Sequence, residues 1–208
     1  MLKFTFVLFL AITVTGYSQE IKTLIHANTI RQSGGYGALT NKFTNIGGHY
    51  ANLSGVYGGW YINQKFMLGV AGAAVTNDIP VPEIYSALPG EKMSFEYGQC
   101  GLMTEYVIGS NRAIHVAFQL FSGAGFTTQY KRDQLKDDEH DVKPDRGHDT
   151  NWFVVTEPGV NVEMNIFKWM RICPGVSYRA AFGSNAIGLK DKDINGTTIN
   201  LSLKFGKF

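Results

Sequence analysis

Ile114-His115-Val116-Ala117-Phe118-Gln119-Leu120-Phe121-Ser122-Gly123-Ala124-Gly125-Phe126-Thr127-Thr128-Gln129-Tyr130 alternates between two kinds of side chain over its whole length. Ile114, Val116, Phe118, Leu120, Ala124 and Phe126 fall on one side of an extended chain, and His115, Gln119, Gly123 and Thr127 on the other. A closed barrel in a membrane needs this two-sided period, because one face meets lipid and the other a polar interior.

The same period recurs on both sides of that run. Strands are expected at 36–45, 49–62, 66–76, 95–108, 114–130, 151–166, 170–182 and 197–208. Asn63-Gln64, Gly109-Ser110-Asn111 and Phe167-Lys168-Trp169 make tight links. The links 78–93, 131–149 and 183–195 are long. Pro80, Pro82 and Pro89 keep the first of these out of any central strand. The second carries 12 charged residues among 19. Short turns on the periplasmic side and longer external loops are the habit of membrane barrels. A soluble sandwich has no reason to sort its links this way. The expectation is an all-β fold, an eight-stranded antiparallel up-and-down transmembrane β-barrel over residues 36–208, with both chain ends on the periplasmic side.

Residues 1–18 read as a signal peptide. Lys3 gives a positive start, Phe4 to Val14 is apolar, and Gly16-Tyr17-Ser18 suits cleavage before Gln19. The apolar stretch is shorter than the roughly 20 residues of a spanning helix, and no Cys follows it. Residues 19–35 form a periplasmic lead-in. Ile21, Leu24, Ile25 and Ile30 hint at helical spacing there, and a short helix and an extended segment both remain open. Ser33-Gly34-Gly35 punctuates the chain before the first strand.

Composition agrees with this layout. Glycine occurs 24 times, and aromatics make up 13% of the chain, which suits strands and interfacial rings. A net charge of +2 lacks the concentrated basic face of a nucleic-acid binder. Cys100 belongs to a lipid-facing position and Cys173 to an inward one on a non-adjacent strand. Thiols so placed are too far apart to bridge, so two free cysteines are expected.

Facing follows from charge. On the sixth strand Trp152, Val154, Val160, Val162, Met164 and Ile166 oppose Glu157, Asn161 and Glu163. On the seventh, Ile172, Val176, Tyr178 and Phe182 oppose Arg171, Ser177 and Arg179. The eighth sets Ile199, Leu201, Leu203 and Phe205 against Asn200, Ser202 and Lys204, and Glu105 opposes Leu102, Tyr106 and Ile108. An Arg or Lys on the lipid face near the midplane costs about 2–4 kcal/mol, so these charges must point inward. There each sign needs a partner. The turn at 167–169 sets Glu157 near Arg179 and Glu163 near Arg171, while Glu105 and Lys204 share a depth. The reading is a structural ion-pair core that fills the lumen, since eight strands leave just enough room for side chains. Trp60, Tyr61, Tyr106, Tyr130, Trp152 and Trp169 lie near strand ends, as interfacial girdles require.

Catalytic chemistry is not legible. The chain has no zinc spacing, phosphate loop or nucleophile elbow, and Ser33-Gly34-Gly35-Tyr36-Gly37 does not open a helix after a strand. His115 is expected as a hydrogen-bonded lumen residue. Asp137-Asp138-Glu139-His140-Asp141 with His148-Asp149 offers oxygen ligands but matches no defined cation loop, and reads as a solvated external loop. No catalytic, cofactor or metal residue is therefore assigned. A soluble lipocalin-like carrier is disfavoured, because such barrels are apolar inside.

Several segments carry a resemblance. Gly34-Gly35-Tyr36-Gly37-Ala38, Lys42-Phe43-Thr44-Asn45-Ile46, Gly58-Gly59-Trp60-Tyr61-Ile62-Asn63 and Glu157-Pro158-Gly159-Val160-Asn161-Val162-Glu163 are similar to small outer-membrane β-barrel proteins of Bacteroidetes-type bacteria. Val176-Ser177-Tyr178-Arg179 and Leu203-Lys204-Phe205-Gly206-Lys207-Phe208 extend the likeness over nearly the whole mature chain. The architecture also resembles OmpA- and OmpX-type barrels, without a peptidoglycan-binding domain after the barrel. The resemblance implies an outer-membrane location and brings no catalytic residues. Its implied partners are outer-membrane lipid and lipopolysaccharide, the barrel-assembly machinery and another outer-membrane protein. The expected function is that of a non-enzymatic, plugged barrel acting through external loops 78–93, 131–149 and 183–195 or as a subunit of an envelope complex. The alternative is a barrel enzyme modifying lipid or peptide at the outer leaflet, suggested by Ser122, His148 and Asp149.

Phe208 ends the last alternating strand with an aromatic ring, and the resemblance makes it the assembly signal. An unpaired edge in lipid leaves backbone groups that cost several kcal/mol each, so assembly must complete this strand. Deleting Phe208 is expected to lower the amount of heat-modifiable barrel in the outer membrane while synthesis and export stay unchanged. Undiminished heat-modifiable protein would show that this terminus is not read.

Overall fold

The computed structural model describes residues 33–132 and 148–206. Residues 1–18, expected as a signal peptide, the 20–31 stretch, the acidic run 137–141 and Phe208 lie outside the described residues.

Eight long strands form the wall: β1 Ser33–Ile46, β2 His49–Ile62, β3 Phe66–Val75, β4 Met93–Ile108, β5 Ile114–Lys131, β6 His148–Phe167, β7 Met170–Phe182 and β8 Gly196–Gly206. Each pairs antiparallel with its neighbour in sequence. β8 then pairs with β1, from Tyr36 opposite Gly206 to Phe43 opposite Ile199, and the sheet closes on itself. The fold is an eight-stranded antiparallel barrel.

Two boundaries differ from the sequence reading by three residues, and β4 starts two residues early, at Met93. β1 starts at Ser33, and Ser33-Gly34-Gly35 pairs with Trp60-Tyr61-Ile62 instead of forming a break. Glycines read as punctuation are here tolerated because β2 lies alongside. The barrel therefore begins inside the segment expected as a lead-in. β6 starts at His148 and extends past a register shift between Thr127 and Gln129 of β5. Proline is also accommodated in the wall. The β6–β7 ladder skips from Thr156 opposite Ala180 to Gly159 opposite Ser177, because Pro158 has no N–H to give it.

Alternation sorts the side chains. Leu39, Val56, Leu68, Val70, Leu102, Phe118, Leu120, Val154, Val162, Val176, Ile199 and Leu201 point outward and are exposed around the wall. An apolar belt of this extent is foreign to a water-facing surface and is what a lipid-facing wall presents. Trp60, Tyr106, Trp152 and Trp169 are also exposed near strand ends, with Trp169 stacked between Phe167 and Phe205. Tyr61 departs from the expected girdle: it points inward and is fully buried. Cys100 is exposed on the wall, Cys173 is buried, and both are free.

Links at the two ends differ in kind. Asn63 and Gln64 turn β2 into β3 in the left-handed region, at φ 55° and 56°. The opposite end is built up. Ile79–Pro80 adds a two-residue strand beside Phe95 and Ser94, followed by a single 3-10 turn at Glu83–Tyr85. After β7, Asn185–Ala186 pairs with Leu189–Lys190 and leads into a one-turn helix, α1 Asp191–Ile194. Ile79, Ala186, Leu189 and Ile194 from these links are buried and cap the core.

Close approach of backbones fixes the β2–β3 seam. Gly59 stands opposite Gly69, and a Cβ on Gly69 would overlap the Gly58 carbonyl and the Gly59 Cα. Gly69→Val is expected to force these strands apart and lower the unfolding midpoint in detergent. Gly37→Ala, where a Cβ meets nothing within 4 Å, serves as the neutral control.

Candidate functional site

The interior is polar in three tiers, each set by strand parity. At the tight-turn end, Lys204 of β8 is fully buried. Its Nζ lies 2.8 and 2.7 Å from the two Glu105 carboxylate oxygens and 2.5 Å from Glu163 Oε1. Arg171 Nη1 donates to Glu163 Oε2 at 2.9 Å, and His115 Nε2 lies 2.9 Å from the same oxygen. The other His115 nitrogen faces the Arg112 carbonyl at 3.1 Å. Tyr61 OH donates to Glu105 at 2.9 Å, and Tyr36 OH donates to the same oxygen. The Lys204 ammonium sits over the Tyr36 ring, 5.0 Å from its centroid. Each carboxylate is thus satisfied by several donors, as burial of charge requires.

The middle tier centres on Glu157. Its Oε2 accepts from Lys42 Nζ at 2.7 Å and from Gln99 Nε2 at 3.0 Å, and its Oε1 accepts from Ser177 Oγ at 2.6 Å. Tyr97 OH donates to Gln99 Oε1 at 2.6 Å, and Asn161 Nδ2 donates to Gln119 Oε1 at 2.7 Å.

Arg179 forms the third tier, at the long-loop end. The β6–β7 register brings Glu157 and Arg179 opposite one another, yet no ion pair joins them among the described residues. Arg179 reaches along the barrel instead. Its Nε donates to the Ile194 carbonyl at 2.9 Å, and its Nη2 donates to the Asn45 carbonyl at 3.1 Å and Thr44 Oγ1 at 3.3 Å. The guanidinium carbon lies 5.1 Å from the Tyr97 ring centroid. Carbonyl dipoles and a ring face thus hold this buried charge, and it ties α1 to β1 and β7. The expected Glu157–Arg179 pair is corrected to Glu157–Lys42, a partner that β7 and β8 separate from β6.

The sequence reading gives no lumen role to Lys42, Tyr36, Tyr61 or Gln99. Lys42 carries a legible signal, since it stands between outward Asn41 and Phe43 in strict alternation. The three tyrosine and glutamine positions carry none, because their polar ends matter only once Glu105 and Glu157 are placed.

Two links are fastened together at the long-loop rim. Gln129 is buried, accepts from the Ala87 N–H at 2.9 Å and donates to the Tyr85 carbonyl at 3.0 Å. It also donates to the Ile187 carbonyl at 3.4 Å, while Asp149 Oδ2 accepts from the Ile187 N–H at 2.6 Å. Tyr130 OH donates to Asp78 Oδ1 at 2.6 Å, which makes it a loop anchor. The apex so held exposes Ile84 by 82%, Ile187 by 49% and Tyr85 by 41%.

Groups considered for catalysis are dispersed. Ser122 faces outward, 3.3 Å from Thr156 Oγ1. The His148 carbonyl accepts from Thr128, and Asp149 is engaged with Ile187. Thr156 and His148 lie eight residues apart on β6, about 26 Å at 3.3 Å per residue. Ser122 is therefore remote from the rim pair. Among the described residues no cluster of His, Cys, Asp or Glu is placed to hold a metal ion.

No family model and no curated protein sequence matches the chain. Among solved structures it is similar to Neisserial surface protein A (NspA), with a TM-score of 0.55 and 11% identity over 85% of this chain and 97% of that one. It is similar also to a major outer membrane protein from Thermus thermophilus, with a TM-score of 0.51 and 9% identity over 83% of this chain and 98% of that one. At such identities the likeness concerns the fold.

The middle tier yields a double-variant test. Lys42→Met is expected to leave Glu157 underpaired and to destabilise the barrel, by about 3–5 kcal/mol if the pair behaves as buried pairs do. Lys42→Met with Glu157→Gln should recover most of that loss, whereas the effects of Arg179→Met and Glu157→Gln should simply add. Unfolding midpoints in detergent micelles measure all of these. The facing of β1 is thereby also put to the test, since an outward Lys42 would show no coupling at all.

With these tiers and likenesses in place, the chain has the eight-stranded antiparallel β-barrel fold of outer-membrane proteins.

Proposed function

We propose that this chain is a non-enzymatic outer-membrane barrel whose lumen is plugged by its own side chains and which acts through its long loops. The observation that carries the reading is the packed three-tier interior beneath a fastened, apolar apex. Among the described residues, four cations and three carboxylates are buried within one narrow barrel, and eight strands leave little space beyond the side chains themselves. A permeation path would have to break ion pairs that nothing in the interior can replace.

Ile84, Tyr85 and Ile187 are the natural contact points of such a protein. They are exposed at the end where Gln129 and Asp149 hold two links rigidly, so docking there would order little further chain. Export through the 1–18 signal, folding by the barrel-assembly machinery, and residence among outer-membrane lipid and lipopolysaccharide complete the proposal. The Bacteroidetes-type resemblance fits the same setting. Docking to another envelope protein would use this apex.

Planar bilayers and whole cells test the reading together. The reconstituted protein is expected to give no large, steady conductance steps, and such steps would overturn the plug. Ile84→Cys on intact cells is expected to react with a membrane-impermeant maleimide. The parent chain should not react, because Cys173 is buried and Cys100 lies on the wall. Absence of labelling at Ile84→Cys in cells that carry heat-modifiable barrel would overturn the outward placement of the loops.

A further inference from the structure

Between the first two tiers the interior is not fully packed, and the reason is local sequence. β3 contributes Ala71 and Ala73 to the inside where its neighbours contribute Tyr57, Gln99 and Met103. The resulting cavity of about 20 Å³ is lined by Lys42, Tyr57, Gln99, Gln119, Asn200 and Ser202, with the two alanines behind. That is room for one water and for little else.

Its lining includes buried polar groups without protein partners. Asn200 is 3% exposed, and neither its Nδ2 nor its Oδ1 has a protein hydrogen-bond partner. The buried Tyr57 hydroxyl stands beside Ser202 without closing a hydrogen bond to it, and the Ser202 hydroxyl donates to Thr40. A buried amide left unpaired is costly, and such groups in folded proteins are met by protein or by water. Other polar groups around the cavity are already engaged. Lys42 is held by Glu157, and Gln99 by Tyr97 and Glu157.

We infer that this cavity is a binding site for a single buried water, held by the Asn200 carboxamide and the Tyr57 hydroxyl. The chemistry selects water over an ion. Asn200 presents a donor and an acceptor together, which only a ligand that both accepts and donates can satisfy. A halide would be repelled by Oδ1, and the one cation facing the space, Lys42, is neutralised at 2.7 Å by Glu157. A metal ion would meet the Lys42 ammonium and find no carboxylate free. The water joins Asn200 of β8 to Tyr57 of β2, over whose ring Lys204 sits. It completes the plug at the level where the side chains of β3 are too short to do so.

This inference rests on the plugged-lumen reading and can fail separately from it. Water–amide cross-relaxation spectra of the full chain in micelles supply the test. The Asn200 side-chain amide is expected to show contacts to a long-lived water in the parent protein. In Asn200→Leu, of similar volume and without polar atoms, the Tyr57 ring should lose its water contact while the barrel stays heat-modifiable. Exchanging chloride for gluconate should leave the Asn200 amide shifts unchanged, and a change would overturn water in favour of a halide. Absence of water contacts at Asn200 in the parent chain would overturn the site outright, whatever Asn200→Leu does. A conducting barrel, by contrast, would overturn the plug itself.

Discussion

Closure of β8 against β1 is the interaction on which the rest depends. Until those strands pair, the sheet has two open edges and no inside. Once Tyr36 meets Gly206 and Phe43 meets Ile199, every strand has two neighbours, and no edge is left with unpaired backbone groups. Closure also converts strand parity into geography. A residue's odd or even position now decides whether it meets the apolar belt or a space one side chain deep.

That narrowness explains the interior. Glu105, Glu157, Glu163, Arg171, Arg179 and Lys204 are buried there, so each is met by protein groups. Such networks are weak sources of net stability, because desolvation offsets much of the attraction. Their stronger effect is on uniqueness. A one-residue slip of β1, β4, β6, β7 or β8 would turn its inward charges onto the apolar face, which singles out the observed register. The same filling leaves the interior little room for a substrate, and moves any working surface to the ends and the outer wall.

The two ends are built differently. At one, short turns such as Asn63-Gln64 simply reverse the chain. At the other, Gln129, Asp149 and Arg179 direct their hydrogen bonds to loop backbones. The loops are thereby part of the folded core, with Ile79, Leu189 and Ile194 packed into it. An apex held in this way presents Ile84, Tyr85 and Ile187 in one arrangement, which is the property a recognition surface needs.

Much of this was legible in the chain alone. Period-two alternation is a local property, so the strand runs, the inward facing of the six charged residues and the tight and long links could be read without knowing which strands meet. Adjacent-strand register even placed Glu163 near Arg171. What the chain could not supply was contact across the lumen. Glu157 finds Lys42 from a strand three places around the barrel, and Arg179 turns to the Ile194 and Asn45 carbonyls, because side-chain reach and barrel radius decide those partners. Tyr61 was placed outside by its position near a strand end, yet parity and Glu105 hold it within. Sequence alone determined which side of the wall the charged residues occupy, since that depends on alternation with their immediate neighbours. Only the tertiary structure decided whom they meet there, since that depends on how a closed sheet curves.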